Sequence, residues 1–226
     1  MLLIIFDCDG TLVDSQHLIC AAMGEAFAAR AMAPPAREAV LEVIGLSLGE
    51  AIARLAEGAE GEEIDALGSA YRAAFIELRR QARHVEPLFP GAREAVEALA
   101  LTDDVLLGIA TGKSRRGVDN FLERFAFAPH FATVQTADDA PSKPHPAMIE
   151  RAMAETGAAA RRTVMVGDTA HDMAMARAAG VRAIGAAWGY HSEAALKGAG
   201  AHDLARDFAD LMRLLSADAS PRDAAE

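Results

Sequence analysis

At 226 residues, with 52% apolar and 24% charged, the chain has room and material for one large domain or two small ones around a sizeable core, which excludes a disulfide-stapled miniprotein and disorder over most of its length. A formal charge of −11, from 33 acidic against 22 basic residues, repels phosphate backbones and anionic lipid headgroups, so neither nucleic acid nor a membrane is expected as a partner. The two cysteines, Cys8 and Cys20, make neither a disulfide framework nor a paired metal motif, which fits the reducing cytoplasm.

The opening run Leu2-Leu3-Ile4-Ile5-Phe6 has no basic segment before it and meets Asp7 and Asp9 at once. It reads as a buried strand, neither a signal peptide nor a membrane span. Residues 14–86 then carry no convincing strand, are rich in Ala, Leu, Arg and Glu, and are broken by Pro34-Pro35, after which Ser47-Leu48-Gly49-Glu50 has capping-box spacing. About four helices are expected there, packed as a small domain over one end of the sheet, because a structureless loop of that size does not suit a compact fold. Pro90-Gly91 opens a helix over 92–100, Pro146 opens one that Gly157 ends, and Gly180 closes one that begins near Asp172. Strand-type runs recur at 105–110, 131–134, 163–166 and 181–186, each after a helical stretch. The alternation predicts an α/β fold, a Rossmann-like doubly wound parallel sheet with an inserted all-helical cap. The expected division is a core of 1–13 and 87–215, a cap of 14–86 and a frayed tail over 216–226.

Chemically loaded residues follow four of the strands. Asp7 and Asp9 leave the first strand two residues apart and so project to the same side. Two carboxylates that close need a cation or a shared proton; an acidic turn at Asp9-Gly10 is the bland alternative. Thr111-Gly112-Lys113-Ser114 joins a hydroxyl, an unencumbered amide and a helix start, the parts of an anion site, although Thr-Gly after a strand also marks an ordinary turn. Lys143, stiffened by Pro144 and Pro146, can place its ammonium over the Asp7 and Asp9 pair. Only three lysines stand against nineteen arginines, so a retained lysine marks a place where a compact ammonium is needed; Lys197, in a stretch of small residues, reads as a surface charge instead. Asp168 leaves the fourth of these strands and Asp172 opens the next helix, where it also complements the helix dipole. Oxygen ligands from Asp7, Asp168 and a backbone carbonyl suit Mg²⁺. In a doubly wound sheet the carboxyl ends of the strands share one edge, where ligands bind, and that convergence argues for an enzyme.

These motifs resemble the haloacid dehalogenase superfamily, in the branch of phosphatases with a helical cap after the first strand, nearest to the phosphoglycolate phosphatases. The likeness rests on D-x-D-G-T at 7–11, Thr111, Lys143 before a proline and G-D-x-x-x-D at 167–172, and covers residues 1–215. It implies that Asp7 is the nucleophile and forms an aspartyl-phosphate, and that Asp9 is the general acid and base. Thr111, the Gly112 amide and Lys143 would hold the phosphoryl oxygens, and Mg²⁺ would sit on Asp7, the Asp9 carbonyl and Asp168, with Asp172 ordering its outer shell.

The departures narrow the reaction. Asp9 and the acid pair of 167–172 speak for phosphate rather than for attack on carbon, and residues 14–86 lack the cap lysine of relatives that cleave carbon–phosphorus bonds. Leu48 and Ile19 stand where the hexose-phosphate mutases carry Arg and His, which favours hydrolysis. The loop Gly45 to Glu50 is where the cap is expected to meet the site, with Ser47, Gly112 and Lys113 as substrate contacts. It offers no fixed cation, which suits a small leaving group: phosphoglycolate first, then pyrophosphate and sugar phosphates, with a non-catalytic binding protein as the rival from another class. The small phosphorylated substrate is the expected partner, and the chain a monomer or weak homodimer. Cys8 is expected to point away from the aspartates into the core, and His17, His145 and His171 to be surface or supporting groups. Arg115 and Arg116 either steer an anionic substrate or are merely solvated, and Trp188-Gly189-Tyr190 reads as packing.

Overall fold

The computed structural model describes residues 1–81 and 86–219. In chain order the elements are β1 (Leu2–Phe6), α1 (Gln16–Ala29), α2 (Arg37–Val43), α3 (Leu48–Leu55), α4 (Glu62–Arg79), α5 (Ala92–Ala100), β2 (Val105–Thr111), α6 (Arg115–Phe125), β3 (Phe131–Thr136), α7 (Ala147–Thr156), β4 (Thr163–Gly167), α8 (Ala170–Ala178), β5 (Arg182–Ala186), α9 (Glu193–Gly198), β6 (Asp203–Ala205) and α10 (Phe208–Ala219). The six strands form one parallel sheet in the order β3-β2-β1-β4-β5-β6. That order reverses direction between β1 and β4, and the crevice outside the strand ends at such a reversal is where this architecture binds ligands.

Alternation along β1 shows why the sheet is covered on both faces. Leu2, Ile4 and Phe6 pack with Val96 of α5, Phe121 of α6 and Leu211 of α10, whereas Leu3 and Ile5 pack with Ile149 of α7, Met173 of α8 and Leu196 of α9. Cys8 continues the even face and is buried among the first group, opposite to the side on which Asp7 stands.

The helices α1 to α4 lie between β1 and β2 in sequence and have an apolar centre of their own, built from Ile19, Met23 and Phe27 with Ile52 and Leu67. The chain enters and leaves them along two segments that pair with each other. The Asp14 amide donates to the Pro87 carbonyl at 2.8 Å and the Phe89 amide to the Leu12 carbonyl at 3.0 Å.

Three local expectations need correction. Ser47 is the N-cap of α3, but its side chain makes no capping bond; its amide instead donates to Ser142 Oγ at 2.9 Å, so the residue serves a tertiary contact. The sixth strand is absent from the sequence reading, because Asp203-Leu204-Ala205 is too short to show a period. Residues 216–219 continue α10 rather than fraying, while the rest of the expected tail, 220–226, lies outside the described residues.

Leu67 has no solvent exposure and sits at the centre of the four-helix cluster. Leu67→Ala is expected to cost about 2–5 kcal/mol of unfolding free energy, measured by urea denaturation.

Candidate active site

β1 and β4 run side by side with Phe6 level with Val166, and the Asp7 amide donates to the Val166 carbonyl at 3.0 Å. The next residues of the two strands therefore emerge together. The carboxylates of Asp7, Asp168 and Asp172 each offer an oxygen within 4.8 Å of the others, and all three side chains are fully buried. Lys143, equally buried, sets its ammonium 3.0 Å from Asp7 Oδ1 and 2.6 Å from Asp172 Oδ1. The lysine thus bridges Asp7 and Asp172, not the expected pair of Asp7 and Asp9, because Asp9 turns its carboxylate elsewhere.

Each carboxylate of the cluster is held differently. Asp168 accepts from Thr11 Oγ1 at 2.8 Å and from the Tyr190 amide at 2.9 Å. Asp172 accepts from the amide and hydroxyl of Thr169 on one oxygen and from Lys143 on the other, so both of its oxygens are committed. Asp7 has no hydrogen bond of good geometry on either oxygen. Gly10 makes the arrangement possible: its φ is +88°, and a Cβ there would lie 2.1 Å from Asp168 Oδ2.

Burial pushes the Asp7 carboxyl up to about 6, against the pull of the Lys143 ammonium. Burial also raises Asp168 well above the usual carboxylate range, helped by the charges of Asp172 and Asp7. Lys143 is itself desolvated, which favours loss of its proton, but Asp172 and Asp7 outweigh this and hold it protonated. Ionised together, the three carboxylates would carry more buried negative charge than the one ammonium balances, and burial accordingly favours the protonated forms of Asp7 and Asp168. Hard oxygen donors from three carboxylates and an Asp7 carboxylate with no hydrogen bond of good geometry fit a divalent cation.

Asp9 belongs to a second group. Lys113 Nζ donates to its two oxygens at 2.7 and 2.9 Å, and Ser15 Oγ donates to Oδ1 at 2.6 Å. Lys113, expected to contact substrate, is thus engaged by Asp9, with Glu86 at 4.0 Å on its other side. Thr111 ends β2 and Gly112 follows it, both beside this group. A Cβ on Gly112 would lie 2.4 Å from the carbonyl oxygens of Gly45 and Leu46, so only glycine lets the loop before α3 come this close. That loop, with Ser47, borders a cavity of about 400 Å³ between the inserted helices and the sheet edge.

Several residues take roles that their types did not announce. Arg115 is tied to the Val134 carbonyl at 2.7 Å and to Asp139 at 2.9 Å, which removes it from the site, whereas Arg116 lines the cavity. Trp188 donates to the Thr11 carbonyl at 3.0 Å, and the Tyr190 hydroxyl accepts from the Ser15 amide at 2.9 Å and donates to Asp14 at 3.2 Å. The segment after β5 therefore buttresses both groups, and only the tertiary fold reveals it. His171 bonds the Glu42 carbonyl, and His145 accepts from the Ala147 amide. The loop 45–50 has no cation, as read, but Arg72 and Arg79 of α4 reach the same cavity.

A model of the family described as haloacid dehalogenase-like hydrolase matches residues 4–186. The chain belongs to this family. It is 37% identical to a probable phosphatase, IndB, from Dickeya dadantii, over 97% of each chain. It is 29% identical to a phosphoglycolate phosphatase of Pseudomonas fluorescens, over 84% of this chain and 70% of the relative. A hydrolase from Pseudomonas syringae has the same fold with a TM-score of 0.84 at 27% identity, covering 96% of this chain and 99% of that one. The expected enzyme class, a phosphatase, is the class of the relatives that span this haloacid dehalogenase-like chain.

The raised Asp7 carboxyl gives a sign for pH. A group whose folded value lies above its unfolded one contributes stability at low pH and loses it as the pH rises through about 6, the folded value. A divalent cation should therefore raise the melting temperature more at about pH 7.5 than at about pH 5, with a gain of about 2.7 kcal/mol at a hundredfold excess over its dissociation constant. Differential scanning fluorimetry with Mg²⁺ checks this, and Asp168→Asn should abolish the gain.

Proposed function

We propose that the protein is a Mg²⁺-dependent phosphomonoesterase that works through an aspartyl-phosphate on Asp7. The observation that carries this reading is the state of Asp7: wholly buried, without a hydrogen-bond partner on either oxygen, and beside an ammonium at 3.0 Å. A nucleophile needs a free lone pair and a neighbouring charge to draw the phosphoryl group in. Residues 1–13 and 87–215 form the part that handles phosphate, and residues 14–86 cover it.

In the first step an Asp7 oxygen bonds to phosphorus in line with the departing oxygen. That phosphorus–oxygen bond breaks, and Asp9 gives the leaving oxygen a proton. In the second, Asp9 takes a proton from a water that attacks phosphorus, and the bond to Asp7 breaks to return the carboxylate and free phosphate. Lys143, the Thr111 hydroxyl and the Gly112 amide bind the phosphoryl oxygens, and Ser47 closes on them from the cap. Ser15 and Lys113 fix the direction of the Asp9 carboxylate, so that its proton is delivered along one path. Asp7, Asp168 and the Asp9 carbonyl would hold Mg²⁺, with Asp172 supporting them, and the bound ion would supply positive charge that offsets the repulsion between two anions. Closure of the cavity excludes water and strengthens each of these interactions.

The substrate class is a small organic phosphate monoester. Phosphoglycolate is the compound the resemblance points to, and it stands with pyrophosphate and sugar phosphates in the panel to be assayed.

Purified protein should hydrolyse phenyl phosphate with Mg²⁺ and not after chelation. Asp7→Asn should abolish turnover. Asp9→Asn should slow it by about 10²–10⁴ while leaving the Mg²⁺-induced rise in melting temperature in place, because its metal contact is the backbone. Phosphate release and scanning fluorimetry on the same samples separate the two roles; loss of the metal effect in Asp9→Asn would refute them.

A further inference from the structure

Four basic side chains line the cavity between the inserted helices and the sheet, and two are already engaged: Lys113 by Asp9, and Arg79 by Glu86 at 3.2 Å. The other two, Arg72 of α4 and Arg116 of α6, make no side-chain hydrogen bond or ion pair with any described residue. One comes from the cap and the other from the core, so an anion between them would touch both halves of the molecule. Guanidinium groups bind planar carboxylates through paired hydrogen bonds, and in a chain of net charge −11 a cavity lined by four basic and two acidic side chains, with two guanidiniums uncommitted, favours an anionic ligand.

Apolar side chains of α4 line the same cavity. Tyr71 and Phe75 stand with ring centroids 5.7 Å apart, and Ile76 follows them on α4. Ile76 is 39% exposed, one of three large apolar side chains left open to solvent among the described residues, and the cavity explains it. A space of about 400 Å³ falls in the range of sites for organic ligands of moderate size and far exceeds what glycolate fills.

We propose, building on the phosphatase reading, that the substrate is a phosphomonoester whose leaving group has an apolar body larger than glycolate and ends in a carboxylate bound by Arg72 and Arg116. The phosphate lies at Asp7, the body against Tyr71, Phe75 and Ile76, and the carboxylate between the two guanidiniums. The arginines act on specificity and not on the bond-breaking steps.

The test compares 4-carboxyphenyl phosphate with 4-carbamoylphenyl phosphate, which differ in charge at nearly constant size, and adds phosphoglycolate. The amide is the more electron-withdrawing substituent, so intrinsic reactivity favours it and cannot produce a preference for the acid. The expected result is a kcat/KM about tenfold or more higher for the carboxylate than for the amide, equivalent to about 1.4 kcal/mol, with phosphoglycolate below the carboxyaryl ester. In the double variant Arg72→Gln with Arg116→Gln the ratio of the two aryl esters should fall to near unity, and an unchanged melting temperature shows that the fold is intact. A wild-type ratio at or below one, or a ratio that survives in the double variant, overturns the assignment, as does better turnover of phosphoglycolate than of the carboxyaryl ester. Calorimetric titration with 4-carboxyphenylphosphonate needs no turnover, and the double variant should bind it about tenfold more weakly. Charge-dependent binding without hydrolysis of any ester would overturn the phosphatase reading and leave the cavity assignment standing; equal binding by both proteins overturns the cavity assignment.

Discussion

The carboxylates of Asp7, Asp168 and Asp172 share a solvent-free space with the single ammonium of Lys143, and the surrounding structure answers the cost of that arrangement. Like charges this close and this buried repel and lose hydration together. The sheet supplies the location, since only at the reversal between β1 and β4 do two strand ends open a crevice instead of passing under a crossover. The turn after β1 supplies donors: the Thr11 hydroxyl reaches Asp168, and Gly10 keeps the space beside that carboxylate empty. The segment after β5 supplies the Tyr190 amide. Asp7 alone has no hydrogen bond of good geometry, only the Lys143 ammonium at 3.0 Å, and it is the residue whose lone pairs the proposed chemistry uses.

Asp172 shows how one residue ties folding to the site. With Thr169 it forms a reciprocal cap on α8, each side chain bonding the other's backbone, which fixes the first turn of that helix. Its other oxygen holds Lys143 at 2.6 Å. A substitution there disturbs the helix start and the lysine together, so a loss of activity in such a variant does not by itself assign a chemical role. Asp9 is arranged on the opposite plan. Its carboxylate is held by Ser15 and Lys113, which form no part of the sheet, so it is orientated without being locked to β1. Two of the three lysines in the chain thus serve the two carboxylate groups, one each, while the many arginines are used elsewhere.

The parts of the site that could be read from sequence are those where chemistry and local structure share a few consecutive residues. Asp7 to Thr11, Thr111-Gly112 and Gly167 to Asp172 each sit where an apolar run stops, and strand alternation tells which side they face. Lys143 was legible as a site lysine but not in its partners, because which carboxylate an ammonium reaches is settled by the register of β1 against β4. Lys113 stood in an anion-site motif, and only the tertiary fold shows that Asp9 claims its charge. Trp188 and Tyr190 were beyond reach for the same reason: their partners lie more than 170 residues away in the chain. β6 escaped because three residues carry no period.

The leaving-group end of the cavity follows a different logic from the phosphate end. On α4 the positions 67, 71, 75 and 78 form one stripe at helical spacing, and Leu67 and Leu78 on it are buried in the packing of the inserted helices. Arg72, Ile76 and Arg79 form the neighbouring stripe, spaced by four and three residues, and it borders the cavity. The two stripes overlap in role, since Tyr71 and Phe75 of the first also border the cavity, while Leu67 and Leu78 serve packing. Changes at Arg72 or Ile76 leave the buried stripe alone and do not touch the carboxylates at the sheet edge. A chain built this way can alter what it accepts at one end of the cavity while the charge arrangement at the other end stays fixed.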